Sequence, residues 1–129
     1  MPSFHDSAAS AAPPEEVWKL LYDPSRFPDW WSGVGTVEVH DASTYTLYPE
    51  GYPDFPMPQA LDTQRHAHRV TVSCLVSDLR FEWRLEPAPA DGTLISVDVE
   101  IPDAEAHRLE RQRELISASL RRLAAMAAN

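Results

Sequence analysis

One cysteine, Cys74, in 129 residues leaves no partner for an internal disulfide, so nothing in the chain calls for an oxidising compartment. A reducing cytoplasm is the expected location. No apolar run approaches the roughly 20 residues needed to span a bilayer. The opening Met1-Pro2-Ser3-Phe4-His5-Asp6 has neither the basic nor the apolar region of a secretory leader. Internal repeats, low-complexity tracts and linkers are absent, which predicts one domain over residues 1–129. A phosphate loop, a nucleophile elbow and a metal signature are missing as well. His66-x-His68 predicts two imidazoles on one side of a strand, but a zinc site takes three or four ligands and the spacing supplies no third. Neither a metal nor a cofactor is expected.

What is present suffices for a packed core. The chain is 43% hydrophobic, with aromatics at 9%, enough to offset the conformational entropy of folding without covalent staples. A formal charge of −9 repels a phosphate backbone unless the basic residues gather on one face. From Asp103 onward five arginines stand against four acids, giving +1 there and −10 for the rest, which reads as a solvated helix face. Nucleic acid is therefore not an expected partner, and neither is a membrane span.

The elements follow from periodicity. Ser3 to Ala9 suggests an edge strand. Pro13-Pro14-Glu15-Glu16 opens a helix, because proline in the first turn loses no hydrogen bond and the carboxylates meet the positive end of the dipole. Pro24 ends it near Tyr22-Asp23. Ser25 to Trp31 reads as a second short helix closing on an aromatic pair. Thr36 to His40 and Thr44 to Tyr48 form a predicted hairpin around Asp41-Ala42-Ser43. Between Pro49 and Pro58, four prolines predict a loop placed to cover a cavity mouth. Ala60 to Arg65 is a weak strand and His68 to Val76 a strong one. Leu79, Phe81, Trp83 and Leu85 alternate with charged residues, and Ile95, Val97, Val99 and Ile101 alternate with mostly polar ones, the pattern of strands with one buried face. Asp103 is placed to cap a helix from Ala104 to about Ala127, whose apolar stripe runs Leu109, Ile116, Leu120, Leu123 and Ala127.

Six or seven strands joined by hairpins imply an antiparallel meander, and one long helix covers only one face of it. The fold class is α+β, a curved sheet wrapped around the C-terminal helix. Three segments carry a resemblance to a known superfamily: Ala12-Pro13-Pro14-Glu15-Glu16-Val17-Trp18-Lys19-Leu20-Leu21-Tyr22-Asp23, Phe27-Pro28-Asp29-Trp30-Trp31, and Phe81-Glu82-Trp83-Arg84-Leu85-Glu86-Pro87 running to Gly92-Thr93. With the closing amphipathic helix, they resemble the START and Bet v 1-like (SRPBCC) helix-grip proteins over nearly the whole chain. The likeness is greatest to the bacterial polyketide cyclase/dehydrase and lipid-transport family. It implies a helix-grip fold with two short helices after the first strand and an internal cavity. Glycines are sparser around the second and third strands than is usual there, and the proline-rich stretch stands where a strand is often continuous.

Candidate site residues follow from the inward faces. Trp30 and Trp31 are adjacent, so one is expected in the core and one at the opening. Phe81 and Trp83 lie on the concave side, where they fill the core or line a pocket, with Val72 and Val97 on neighbouring strands. Tyr45 shares a face with Leu47 and carries a hydroxyl able to orient a ligand or act as a weak acid. Gln112 and Arg113 flank Ile116 on the last helix, above Leu120, as groups that reach the cavity or lie along its rim. Cys74, set among Val70, Val72 and Leu75, reads as a small core hydrophobe, since no cation is placed beside it.

Three functions remain open at this level. The first is a binding module for a small hydrophobic molecule, a lipid or an aromatic metabolite. The second is a cofactor-free cyclase or dehydratase, with Tyr45, His66 or Arg113 moving protons or polarising a carbonyl. The third is an interaction module with a collapsed cavity. A monomer and a homodimer are both compatible with the sequence.

Overall fold

The computed structural model describes residues 2–129; Met1, the first residue of the predicted domain, lies outside them. The chain begins with strand β1 (Ser3–Ser10), helix α1 (Pro14–Leu21), a short 3-10 turn and helix α2 (Phe27–Trp30). Strands β2 (Val34–Val39), β3 (Thr44–Pro49), β4 (Met57–Gln64), β5 (Arg69–Cys74), β6 (Arg80–Ala88) and β7 (Gly92–Glu100) follow, and helix α3 (Leu109–Ala127) closes the chain. The sheet is antiparallel throughout, in the order β1-β7-β6-β5-β4-β3-β2. All but one of its pairings join sequential strands, as hairpins dictate; β1 closes the far edge by pairing with β7. The predicted helix-grip architecture is the one observed.

The alternation along β6 and β7 sets the core. Leu79, Phe81, Trp83 and Leu85 are buried, as are Ile95, Val97, Val99 and Ile101. Opposite them α3 presents Ile116, Leu120 and Leu123, all buried. Helix α1 contributes Val17, Trp18, Leu20 and Leu21 on one face. Polar clips hold the helices to the sheet: the Ser10 hydroxyl donates to the Ala124 carbonyl at 2.8 Å, and Thr93 Oγ1 donates to the Ala12 carbonyl at 2.8 Å. At Gly92, where β7 begins, a Cβ would stand 2.6 Å from the Ser10 carbonyl oxygen, so only glycine lets β1 and β7 approach.

Three expectations are corrected. The loop predicted from Pro49 to Pro58 is shorter, because Pro49 ends β3 and Pro58 lies within β4. Pro58 lacks a donor, yet its carbonyl accepts from the Leu75 N–H at 3.0 Å, so the ladder tolerates it. The last α-helix starts at Leu109 rather than Ala104: Asp103–Arg108 is a 3-10 segment whose N-cap is Pro102, and Glu105 departs from helical geometry inside it. His66 and His68 do not share one side of a strand. Arg65–Ala67 is a 3-10 turn on which His66 is exposed, and His68, with a left-handed φ of 49°, lies beside Trp18 at 5.7 Å.

Candidate functional site

A cavity of about 410 Å³ opens between the N-terminal half of α3 and strands β3, β4 and β5. It is bounded on one side by an aromatic wall. Trp31 packs edge-on against Phe81 at 5.1 Å and Trp83 at 5.2 Å, while its ring stacks on Trp30 at 5.4 Å. Phe27 links this group to Tyr45 at 5.6 Å. Both tryptophans of the pair are buried, and their rings lie parallel rather than diverging; Trp31 faces the hollow and Trp30 the core, where its indole N–H donates to the Leu20 carbonyl at 2.9 Å. The wall is held by Ser119 on α3, which accepts the Ser32 N–H at 2.8 Å and donates to the Leu115 carbonyl at 2.6 Å.

Of the residues predicted from sequence, Trp31, Tyr45, Leu47, Val72, Phe81 and Gln112 line the cavity. Trp30, Trp83, Val97, Ile116 and Leu120 are buried behind it, in the packed part of the core. His66 is exposed on its 3-10 turn and does not border the cavity. Arg113 lies elsewhere too, with its guanidinium over the Phe4 ring at 5.3 Å. Helix geometry explains the split between neighbours: successive residues point about 100° apart, so Gln112 and Leu115 face the hollow while Arg113 turns toward β1.

The floor of the cavity carries polar groups that the sequence reading did not assemble. Register pairs Tyr45 with Gln59 and Gln59 with Cys74, so the three side chains form a row across β3, β4 and β5. Ser77, in the turn after β5, closes the row. Gln59 is buried, and its side-chain amide donates to the Met57 carbonyl at 3.2 Å. Burial alone would raise the Cys74 thiol, but hydrogen bonds from the Ser77 hydroxyl and N–H, the Val76 N–H and the Gln59 side chain outweigh it and hold the thiol below its ordinary value. Cys74 is thus a buried core residue, as predicted, and also a wall of the cavity. Burial, with Cys74 as a lesser influence, pushes the Tyr45 phenol far above its usual range, so it stays protonated and acts as a donor.

Three buried side-chain atoms among the described residues have no hydrogen-bond partner: Tyr45 Oη, Arg69 Nε and Trp83 Nε1. Of their residues, only Tyr45 borders the cavity. Around the mouth stand Glu50 and Tyr52 from the β3–β4 loop, and Arg108 and Arg111 from the helical side. Arg108 Nε donates to Glu105 at 3.1 Å, and Arg111 lies 3.8 Å from Glu114. Among the described residues, no group of three or more His, Cys, Asp or Glu side chains is arranged to hold a metal ion, and no helix is long and apolar enough to cross a membrane.

The sequence matches the family described as polyketide cyclase / dehydrase and lipid transport over residues 10–113. No curated protein matches it in sequence. Among solved structures it is similar to XoxI from Bacillus cereus, at 17% identity and a TM-score of 0.79, covering 98% of this chain and 95% of that one. It is similar to the di-domain ARO/CYC BexL from the BE-7585A biosynthetic pathway, at 14% identity and a TM-score of 0.78, covering 97% of this chain but 46% of BexL. Ara h 8.0201 aligns at 13% identity with a TM-score of 0.68, over 98% of this chain and 97% of that one. At these identities the likeness is one of fold.

Proposed function

The chain belongs to the polyketide cyclase / dehydrase and lipid transport family, and from that premise we propose that its cavity binds a small, largely apolar molecule bearing a hydrogen-bond-accepting group, held without covalent chemistry for sequestration or delivery. The observation that carries this reading is the buried, unpartnered hydroxyl of Tyr45, a residue that borders the hollow together with the apolar side chains of Trp31, Leu47, Val72 and Phe81. A buried donor without a partner costs roughly 1–3 kcal/mol, and an accepting ligand recovers that cost. An open cavity favours this reading over a collapsed interior, which needs a filled core.

A second reading, cofactor-free cyclisation or dehydration of a polyketide-like chain, is favoured by the clustering of donors at Tyr45, Gln59 and Ser77 beside the Cys74 thiol. Such donors polarise a carbonyl, and the family's description as polyketide cyclase / dehydrase suggests the substrate class for this alternative. A cytoplasmic location remains part of the proposal, as do a monomeric or dimeric state and the absence of a nucleic-acid partner.

Native mass spectrometry of freshly purified protein tests the binding reading, together with titration by an apolar fluorophore. A copurifying small molecule released on denaturation, or saturable fluorophore binding lost in a cavity-filling Leu115→Trp variant, is the expected result. Fluorophore binding that is absent, or that is unaffected by Leu115→Trp, contradicts it.

A further inference from the structure

The Cys74 side chain sits where three features converge. It borders the cavity, so a molecule lodged there lies against it. The thiol is held below its ordinary value, against the effect of burial, by the polar groups of Ser77, Val76 and Gln59 beside it, and Ser77 and Gln59 border the same cavity. The third feature points to a ligand rather than to packing. The Tyr45 hydroxyl, fully buried and without a protein partner, stands in the same row with only Gln59 between. Adjacent strands lie about 4.8 Å apart, so Tyr45 and Cys74 are anchored roughly 10 Å from each other on the floor of one cavity.

We infer that Cys74 is a nucleophilic thiol for soft electrophiles that enter the cavity, with α,β-unsaturated ketones as the substrate class and Tyr45 as the donor to their carbonyl oxygen. This rests on the ligand-binding reading and adds to it a covalent step. The sulfur forms a bond to the carbon β to the carbonyl, and the C=C electron pair moves toward the carbonyl to give an enolate. The enolate oxygen accepts a hydrogen bond from Tyr45. The α-carbon then takes up a proton equivalent to the one the thiol released, leaving a thioether and an intact ketone. The sum is thiol plus enone, with no further reactant. The donors around the sulfur favour the thiolate form that attacks, and the phenol meets charge that develops only as the bond forms.

The chain has one cysteine, so any thioether maps to Cys74. The test is incubation with benzylideneacetone, read as the rate of adduct formation by intact-protein mass spectrometry, in the folded protein and in the same protein unfolded in urea. Cys74→Ala corrects for reaction at other side chains. Binding of benzylacetone, the saturated and unreactive analogue, is measured in parallel by NMR. The expected result is one adduct, formed about tenfold faster in the folded protein, slowed about tenfold by Tyr45→Phe, and slowed by excess benzylacetone. Benzylacetone binding with alkylation no faster than in urea overturns the thiol inference and leaves the carrier reading standing. Binding of neither molecule overturns both. Fast alkylation that Tyr45→Phe does not change removes Tyr45 from the step. Should Tyr45→Phe lose the native circular dichroism spectrum, Ser77→Ala, which removes one donor to the sulfur, is the replacement, with slower alkylation expected and an unchanged rate contradicting the inference.

Discussion

The two ends of the same sheet and helix are built to different rules. Toward β1, β7 and the far half of β6, the inward side chains of Trp83, Leu85, Ile95, Val97, Val99 and Ile101 are apolar and buried, and those of Ile116, Leu120 and Leu123 fill the space above them. Toward β3, β4 and β5, the inward row includes Tyr45, Gln59 and Cys74, and the flank of α3 carrying Gln112 and Leu115 spans a gap of about 410 Å³. One end is packed solid for stability and the other is left hollow with hydrogen-bonding groups in its floor. Burying polar side chains and leaving a void both cost stability. The hollow end therefore exists at the expense of the fold, supported by the packed end.

Trp83→Ala is the harshest test of that division. The side chain is fully buried among Trp30, Trp31 and the sheet, so its loss costs about 3–5 kcal/mol in urea unfolding followed by circular dichroism. Leu115→Ala, on the cavity flank, costs about 1 kcal/mol, because part of its surroundings is already empty. Equal losses would erase the contrast. Filling the gap with Leu115→Trp sharpens it from the other side: fluorophore affinity falls at least about tenfold while stability changes by less than about 1.4 kcal/mol.

Tyr45→Phe removes a buried hydroxyl that has no partner, so the ligand-free protein keeps its stability or gains about 1 kcal/mol. The same variant changes the alkaline limb. The folded state holds the Tyr45 phenol above its ordinary value of 10.0, so its contribution is complete below about pH 10 and is lost as pH rises beyond that. Wild-type stability therefore drops above pH 10 more steeply than that of Tyr45→Phe, measured as urea midpoints across the range. The smallest effect belongs to the convex face, where Arg84 pairs with Asp98 and Glu82. Arg84→Ala costs below about 1 kcal/mol. Burial alone would raise Asp98, but its bonds to His5 and Arg84 and their charges hold it below 3.8, so the pair's contribution stands above about pH 4 and fades as pH falls further. A midpoint difference between Arg84→Ala and wild type that persists at pH 2 contradicts that assignment.

The buried faces of β6, β7 and α3 were legible because alternation with period two and a helical stripe are local signals, readable from Leu79 to Leu85, from Ile95 to Ile101 and from Ile116 to Leu123. The cavity wall was legible in part, since Trp31, Tyr45, Leu47, Val72, Phe81 and Gln112 follow from inward faces alone. The polar floor was not. It depends on the register of β4, whose Pro58 and missing alternation hid the start of the strand, where Gln59 lies, and register across three strands is a long-range property. Of the groups that lower the Cys74 thiol, two are backbone N–H groups in the turn after β5, which carry no signal of residue type, and the Gln59 side chain depends on the register of β4. Arg113 and Gln112 could be told apart only once the helix was known to begin at Leu109 and its orientation over the sheet was fixed.

The most direct measurement is a set of amide NMR spectra of labelled protein titrated with benzylacetone. The hollow-end account predicts saturable shifts at Gly33, Leu47, Gln59, Cys74, Ser77 and Leu115, with Val97, Val99, Leu120 and Leu123 unmoved. Shifts concentrated at the second group, or spread evenly over both, contradict it.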